Sequence, residues 1–236
     1  AHDAVRTLDR IVHRGEVSWI LEADIMSFFD SLDRKKLKEM LEIRVADGSL
    51  LRLIGKCLHV GVLDGVELST SESGTAQGSV LSPLLGNVYL HYVLDLWFEQ
   101  EVKPRLRGRA TLVRYADDFV IGFEHEADAR RVMDVLPKRV GNDRLTLHPD
   151  KTRLFPFRRP PAGQKGGKGP ATFDFLGFTF YWARNRKGRW GMLCKTRSAS
   201  LRRIIGSVYD WCRRPRHSSV KEQHAALKRR IQGHFN

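Results

Sequence analysis

The sequence predicts an α+β fold, antiparallel strands packed on helices, from three observations. Residues 17 to 25, VSWILEADI, form an apolar run that ends in the acidic Asp24, as a buried strand does when it reaches a sheet edge. Residues 111 to 123, TLVRYADDFVIGF, are two apolar half-strands separated by Ala116, Asp117 and Asp118, a hairpin with acids at its turn. Between these two, Leu81, Leu84, Leu85, Val88, Tyr92 and Leu96 recur at helical spacing, which predicts a long buried helix.

The remaining elements follow from the same reading. Short helices are expected over Leu32 to Met40 and Leu50 to His59. The Gly- and Ser-rich stretch SESGTAQGS is a turn, after which Ser82 and Pro83 are expected as N-cap and first residue of the long helix. Glu126 to Arg139 fits a surface helix, and strands are expected around Leu145 to Leu147 and Thr152 to Phe157. RRPPAGQKGGKGP is a basic loop, and FDFLGFTFYW alternates aromatic and small residues as a strand would. In the tail, Leu201, Ile204, Ile205, Val208, Trp211 and Cys212 trace one helix face. A second helix is expected from Ser219, which with Glu222 forms a capping box. Val220, Leu227 and Ile231 are its expected core face, and Lys228, Arg229 and Arg230 its exposed one.

At 236 residues and 42% hydrophobic content the chain can bury a sizeable core, as one large domain or as a catalytic domain with a smaller appendage. Its three cysteines, Cys57, Cys194 and Cys212, match neither a disulfide framework nor a metal-binding spacing, and are read as buried or free thiols in a reducing cytoplasm. No run approaches the length of a membrane span and the opening residues lack a signal-peptide pattern, so no membrane partner is expected. The chain opens without Met, and the expectation is an interior piece of a longer protein.

The net charge of +14 points to a polyanionic partner, and its distribution is uneven. Residues 184 to 236 hold 15 Lys and Arg against Asp210 and Glu222, a net of +13, whereas residues 1 to 150 carry 20 basic and 24 acidic groups, a net of −4. An acidic body suits a site for metal cations, and a basic tail suits a phosphate backbone or simply keeps the chain soluble.

Buried carboxylates are costly unless paired, hydrated or bound to metal. Mg²⁺ takes a few carboxylate oxygens and leaves room for substrate phosphates, and two such ions about 3.5 to 4 Å apart stabilise the attacking and leaving oxygens of an in-line displacement. Asp24, Asp117 and Asp118, on neighbouring strand ends, could hold such a pair. An isolated Asp-Asp is ordinarily a turn; here the pair stands in Tyr115-Ala116-Asp117-Asp118 between apolar strands.

That YADD box closely resembles the catalytic box of reverse transcriptases, and the form with Ala is similar to that of bacterial group II intron-encoded proteins. Other blocks follow in the order of that family: ILEADIMSFFDSLD, GTAQGSVLSPLLGNVYLHYVLD, RLTLHPDKTRLF, FDFLGFTF and KTRSASLRRIIGSVYDWCRR, the last similar to the start of the thumb, called domain X in maturases. The resemblance implies a right-hand polymerase fold: palm with partial fingers over 1–183 and the start of a helical thumb over 184–236. It implies an RNA-directed DNA polymerase, bacterial and cytoplasmic, acting with two Mg²⁺ ions for which Mn²⁺ can substitute. Its partners would be an RNA template, a DNA or RNA primer, dNTPs and a structured intron RNA.

Roles carry over residue by residue from that resemblance. Asp24 and Asp117 would ligate both metals, Asp118 would be peripheral, and the Ile25 carbonyl would contact the nucleotide-side ion. Phe29 would exclude ribonucleotides at the sugar 2′ position, or serve as a core aromatic beside Phe28. Gln77, Gly78 and Tyr115 belong to the nucleotide-contacting set, Gly78 permitting close backbone approach. Lys151 would protonate or neutralise the leaving pyrophosphate, or contact a phosphate. Gly177 would let the primer pass near the backbone, and Lys228, Arg229 and Arg230 would meet phosphates. Ala76 departs from the family's more usual Pro. The opening AHDAV resembles the end of an upstream fingers motif, so the fingertip strands and any C-terminal endonuclease are expected to lie outside this chain. A non-catalytic RNA-binding splicing factor and a CRISPR- or defence-associated reverse transcriptase remain the alternatives.

Overall fold

Alternation and spacing of this kind become a fixed set of elements in the computed structural model, which describes residues 2–58, 62–64, 67–69, 81–161, 171–184, 186, 188–213 and 219–235. The chain forms α1 (His2–His13), β1 (Trp19–Ala23), α2 (Phe28–Ser31), α3 (Arg34–Glu42), α4 (Gly48–Leu58), β2 (Val62–Asp64), β3 (Glu67–Ser69) and α5 (Ser82–Leu90). It continues with β4 (Ala110–Tyr115), β5 (Asp118–Phe123), α6 (Glu126–Gly141), β6 (Arg153–Pro156), β7 (Phe173–Phe175), β8 (Phe178–Arg184), β9 (Trp190–Thr196), α7 (Ser198–Arg213) and α8 (Val220–Phe235). It divides into two compact units, residues 1–171 with 182–192, and residues 172–181 with 193–236.

In the first unit the order β4-β5-β1-β6 makes an antiparallel sheet with the two predicted apolar runs at its centre. Strand alternation gives the sheet two faces. Leu21, Ala23, Phe119, Ile121 and Phe123 face the main core, which Leu85, Tyr89, Leu90, Val93, Leu94 and Phe98 fill from the long helix and Val132 and Leu136 from α6. The opposite face carries Ile20, Glu22, Val120 and Gly122; near Gly122 it is covered by Ile11 of α1 and by Val17, whose side chains would lie 3.5 and 2.6 Å from a Cβ there.

Several boundaries differ from expectation for identifiable reasons. The helix expected over Leu32 to Met40 starts at Arg34, because the Asp33 carboxylate accepts the Lys35 and Lys36 N–H groups at 2.9 and 3.1 Å and caps it. The long helix starts one residue early: Leu81 is its N-cap and Ser82 and Pro83 are its first two residues. It then runs on through π-helical turns at His91–Asp95 and Phe98–Val102. FDFLGFTFYW is two strands, β7 and β8, joined by Leu176 and Gly177 at φ 51° and 79°, the pair of positive values of a type I′ hairpin. Strand β9 was not expected.

Deep in the first unit Tyr89 donates to the Asp143 carbonyl at 2.7 Å. Lys36 Nζ bonds Asp143 at 2.8 Å and the Asn142 carbonyl, and Arg144 pairs with Asp33 at 3.1 Å. Burial pushes the Tyr89 phenol well up, and the Asp143 and Asp33 carboxylates push the same way.

The second unit departs most from the reading. No α7 residue is fully buried, and Val220, an expected core residue of α8, is 82% exposed. Two helices bury only the strip where they meet, and the rest of each apolar stripe needs a further layer. Among the described residues no helix is long and apolar enough to cross a membrane. The cysteines are free, Cys57 half-buried and Cys194 and Cys212 exposed.

Candidate active site

Asp24 follows directly on the Ala23↔Phe119 pair, and Asp118 directly precedes it, so antiparallel register brings both to one end of the sheet. They continue the face of Glu22 and Val120, at the end away from α1, and Asp117 sits in the two-residue turn between β4 and β5. Asp24 and Asp117 are half-buried and Asp118 is exposed. Ile25 forms an antiparallel bridge with Leu147 whose hydrogen bonds come from its neighbours, Met26 N–H to the Thr146 carbonyl and His148 N–H to the Asp24 carbonyl, each at 2.8 Å. In that pattern the Ile25 carbonyl points away from Leu147, toward the outer side of the chain.

The Asp24 carboxylate is held by Lys151, Nζ to Oδ2 at 2.5 Å, and next along the same face Glu22 pairs with Arg153 at 2.6 Å. Among the described residues no three His, Cys, Asp or Glu side chains gather into a metal cluster. The donor set is nonetheless all hard oxygen, carboxylates plus a backbone carbonyl, the kind Mg²⁺ takes. Its half-buried Asp24 already carries a cation.

Phe29 is half-buried, its ring 5.1 Å from that of Phe28, and packs against the main core, so its core role is real whatever else it does. Tyr115 is 49% exposed on the carboxylate face. Gln77 and Gly78 lie outside the described residues. Gly177 occupies the β7–β8 turn, where its carbonyl accepts the Arg197 N–H at 2.9 Å. Lys228, Arg229 and Arg230 are all exposed, and Arg230 also donates to Ser207 Oγ at 3.0 Å and lies over the Trp211 ring, joining α8 to α7.

Residues 2–180 match the reverse transcriptase (RNA-dependent DNA polymerase) family. The chain belongs to that family. Among curated proteins it is similar to the group II intron-encoded protein LtrA of Lactococcus lactis, 36% identical over an alignment of 148 positions that covers 58% of this chain and 24% of the relative. It is also similar to the protein YkfC of Escherichia coli, 28% identical over 88% of this chain and 59% of the relative. The chain thus spans about a quarter of the first relative and less than two thirds of the second. The structure of apo telomerase from Candida tropicalis truncated from its C-terminal domain matches 76% of this chain and 37% of that one, with a TM-score of 0.56 at 14% identity. Telomerase from Candida albicans, solved with a fragment of telomeric RNA, matches 76% of this chain and 32% of that one, at the same score and 17% identity. At these identities the likeness is one of fold: the polymerase palm.

Reverse transcriptases work with divalent metal ions, and the hard-oxygen donors here fit them. Two residues of this chain escaped the sequence reading. Arg114 stands in step with Ala110 and Leu112 on the helix side of β4, and that alternation was a legible signal, since a charge among apolar neighbours must find partners. Gly86 lies under the Phe28 and Phe29 rings; a Cβ there would come within 2.8 and 3.1 Å of them. Nothing local marks it, because the close approach is made by a different helix.

Proposed function

We propose that this chain carries the polymerase core of an RNA-directed DNA polymerase of the group II intron type, adding dNTPs to a DNA or RNA primer on an RNA template. The observation that carries the reading is the common sheet end of Asp24, Asp117 and Asp118 in a chain of the reverse transcriptase family. Residues 1–183 would be palm with partial fingers, and 184–236 the start of the thumb.

Asp24 and Asp117 would hold two Mg²⁺ or Mn²⁺ ions, with Asp118 peripheral and the Ile25 carbonyl on the nucleotide side. Bound there, such ions supply Lewis acidity to the attacking hydroxyl and to the leaving oxygens of an in-line displacement. The protein's own share is positioning and electrostatics. Lys151, already cationic beside Asp24, would give charge or a proton to the leaving pyrophosphate. The Phe29 ring would exclude a 2′-hydroxyl, and Tyr115, Gln77 and Gly78 would contact the nucleotide. Gly177 would border the primer. The basic thumb would grip template, primer and a structured intron RNA, a partner suggested by the likeness to an intron-encoded protein.

A second reading, an RNA-binding splicing factor without polymerase activity, draws on the Lys151 ion pair that occupies Asp24. Primer extension on an RNA template with Mg²⁺ and dNTPs decides between them, run with this chain and with a version extended at its N-terminus. Asp117→Asn and Asp24→Asn are expected to abolish extension while RNA affinity stays nearly unchanged. Retention of a tenth of the wild-type rate, about 1.4 kcal/mol in barrier, would remove both from the essential ligands.

A further inference from the structure

Arg114 is 12% exposed, and all three of its guanidinium nitrogens donate. Nε and Nη2 fork onto the two Asp95 oxygens at 2.7 and 2.6 Å. Nη1 reaches Asn87 Oδ1 at 2.9 Å and the Ala116 carbonyl at 2.8 Å. A forked guanidinium–carboxylate pair has fixed planar geometry, so this side chain cannot swing without breaking both bonds. What it holds is itself strained: Ala116, the residue before Asp117, has φ 55°, a left-handed conformation unfavourable for a residue with a Cβ. Such conformations persist where the surroundings over-determine them, and they collect at functional sites.

The winding of the helix builds the anchor. Asn87 and Asp95 are eight residues apart, a spacing that in an α-helix turns two side chains about 80° out of line. Over His91–Asp95 the chain instead winds as a π-helix, with the Leu96 N–H bonded to the His91 carbonyl five residues back. A π-turn rotates less per residue and takes up most of that offset, so Asn87 and Asp95 meet one guanidinium.

We propose that Arg114 is the positioning residue of the catalytic turn, tying the Ala116 carbonyl to Asn87 and Asp95 so that Asp117 meets its divalent cation from a fixed place. The proposal rests on the assignment of Asp117 as a metal ligand made above. Arg114 reaches the turn from the helix side of the sheet, whereas Asp24 and Asp118 continue the opposite face. It therefore acts through the turn without touching substrate or metal.

The test compares the wild-type chain with Arg114→Lys, which keeps the charge and loses the fork, and with Asn87→Ala, which removes one acceptor from a helical position. Amide hydrogen exchange reads the turn, and Mn²⁺ titration followed by electron paramagnetic resonance reads the site without catalysis. Arg114→Lys is expected to speed exchange at residues 116 to 119 at least tenfold, leave the β1–β6 amides unchanged and weaken Mn²⁺ binding at least threefold. Asn87→Ala shifts both readouts the same way by less, and lowers kcat for extension at unchanged KM for dNTP. If Arg114→Lys fails to fold, Asn87→Ala decides by the same readouts. Wild-type exchange in the turn overturns the proposal, and so does a loosened turn with unaltered Mn²⁺ affinity. Asp117→Asn is the control: if it leaves Mn²⁺ binding intact, the ligand assignment falls and the positioning role with it, whatever the exchange rates.

Discussion

The four-stranded sheet and the helical tail were read from the same kind of signal, apolar residues at regular spacing, and they came out differently. In the sheet the apolar runs are buried, Ile20, Leu21 and Ile121 being 0% exposed. On the long helix the expected face is only partly buried: Leu85 is buried, Leu81, Val88, Tyr92 and Leu96 are half-buried and Leu84 is 62% exposed, while the deepest positions are Tyr89, Leu94 and Phe98. Along α7 the equally regular Leu201 and Ile205 are 42% and 59% exposed, and Tyr209, stacked against Arg213, is 57% exposed. Periodicity thus reports which face of an element is apolar; burial needs a second layer to receive that face. The charges divide in parallel: in the sheet unit Lys36, Arg114, Lys151 and Arg153 are matched to carboxylates, whereas Lys228, Arg229 and Arg230 of the tail lie exposed.

Core truncation separates the two regions most sharply. Phe98→Ala is expected to cost about 3 to 5 kcal/mol, against a change within about 0.5 kcal/mol for Ile205→Ala. Urea unfolding of both variants measures the contrast, and losses of similar size would mean that α7 is packed as tightly as the sheet's helices.

A single substitution type should change sign between the regions. Gly86→Ala sets a Cβ against the Phe28 and Phe29 rings and is expected to cost about 1 to 3 kcal/mol. Gly206→Ala, on α7 with nothing within 4 Å, is expected to gain up to about 1 kcal/mol from helix propensity. Because Gly86→Ala displaces the Phe29 ring, it also probes the sugar-excluding role proposed for Phe29: rNTP use relative to dNTP should change, as it should rise in Phe29→Ala. Unchanged sugar discrimination in both folded, active variants would leave Phe29 to the core alone.

Tyr89 offers a smaller effect with a definite pH signature. Its folded pKa is raised above the ordinary 10.0, so from about pH 10 upward the unfolded chain releases a proton that the folded chain keeps. Stability is therefore whole below pH 10 and falls as pH rises beyond it, by at most about 1.4 kcal/mol per pH unit from this group. Tyr89→Phe should cost about 1 kcal/mol at neutral pH, where the Asp143 carbonyl loses its donor, and should flatten the alkaline decline. Unfolding measured at pH 7 and above pH 10 checks both parts.

The tail charges should leave folding nearly untouched and show instead in salt dependence. Neutralising Lys228 and Arg229 is expected to flatten the slope of log K against log salt by about 1.4 to 1.8 if both meet phosphate. Adding Arg230→Gln should also lower the thermal stability of the α7–α8 pair, since that side chain bonds Ser207. Superimposable salt slopes would return Lys228 and Arg229 to a role in solubility.

The sequence by itself determined the α+β class, the apolar strands, the capping box at Ser219 and the order of the acid-bearing motifs, because alternation, helical spacing and turn chemistry are properties of contiguous residues. Antiparallel pairing then made the meeting of Asp24 with the hairpin acids legible as an expectation. Only the tertiary structure decided which distant groups answer each charge. Lys151 lies 127 residues from Asp24, Arg153 lies 131 from Glu22, and Arg114 finds Asp95 only because a π-turn rotates that carboxylate into line with Asn87. It also decided that Gly86 must lack a Cβ and that the tail's apolar stripes stay largely uncovered. A buried charge takes whichever partner the completed packing brings within about 3 Å, and that choice depends on every element at once.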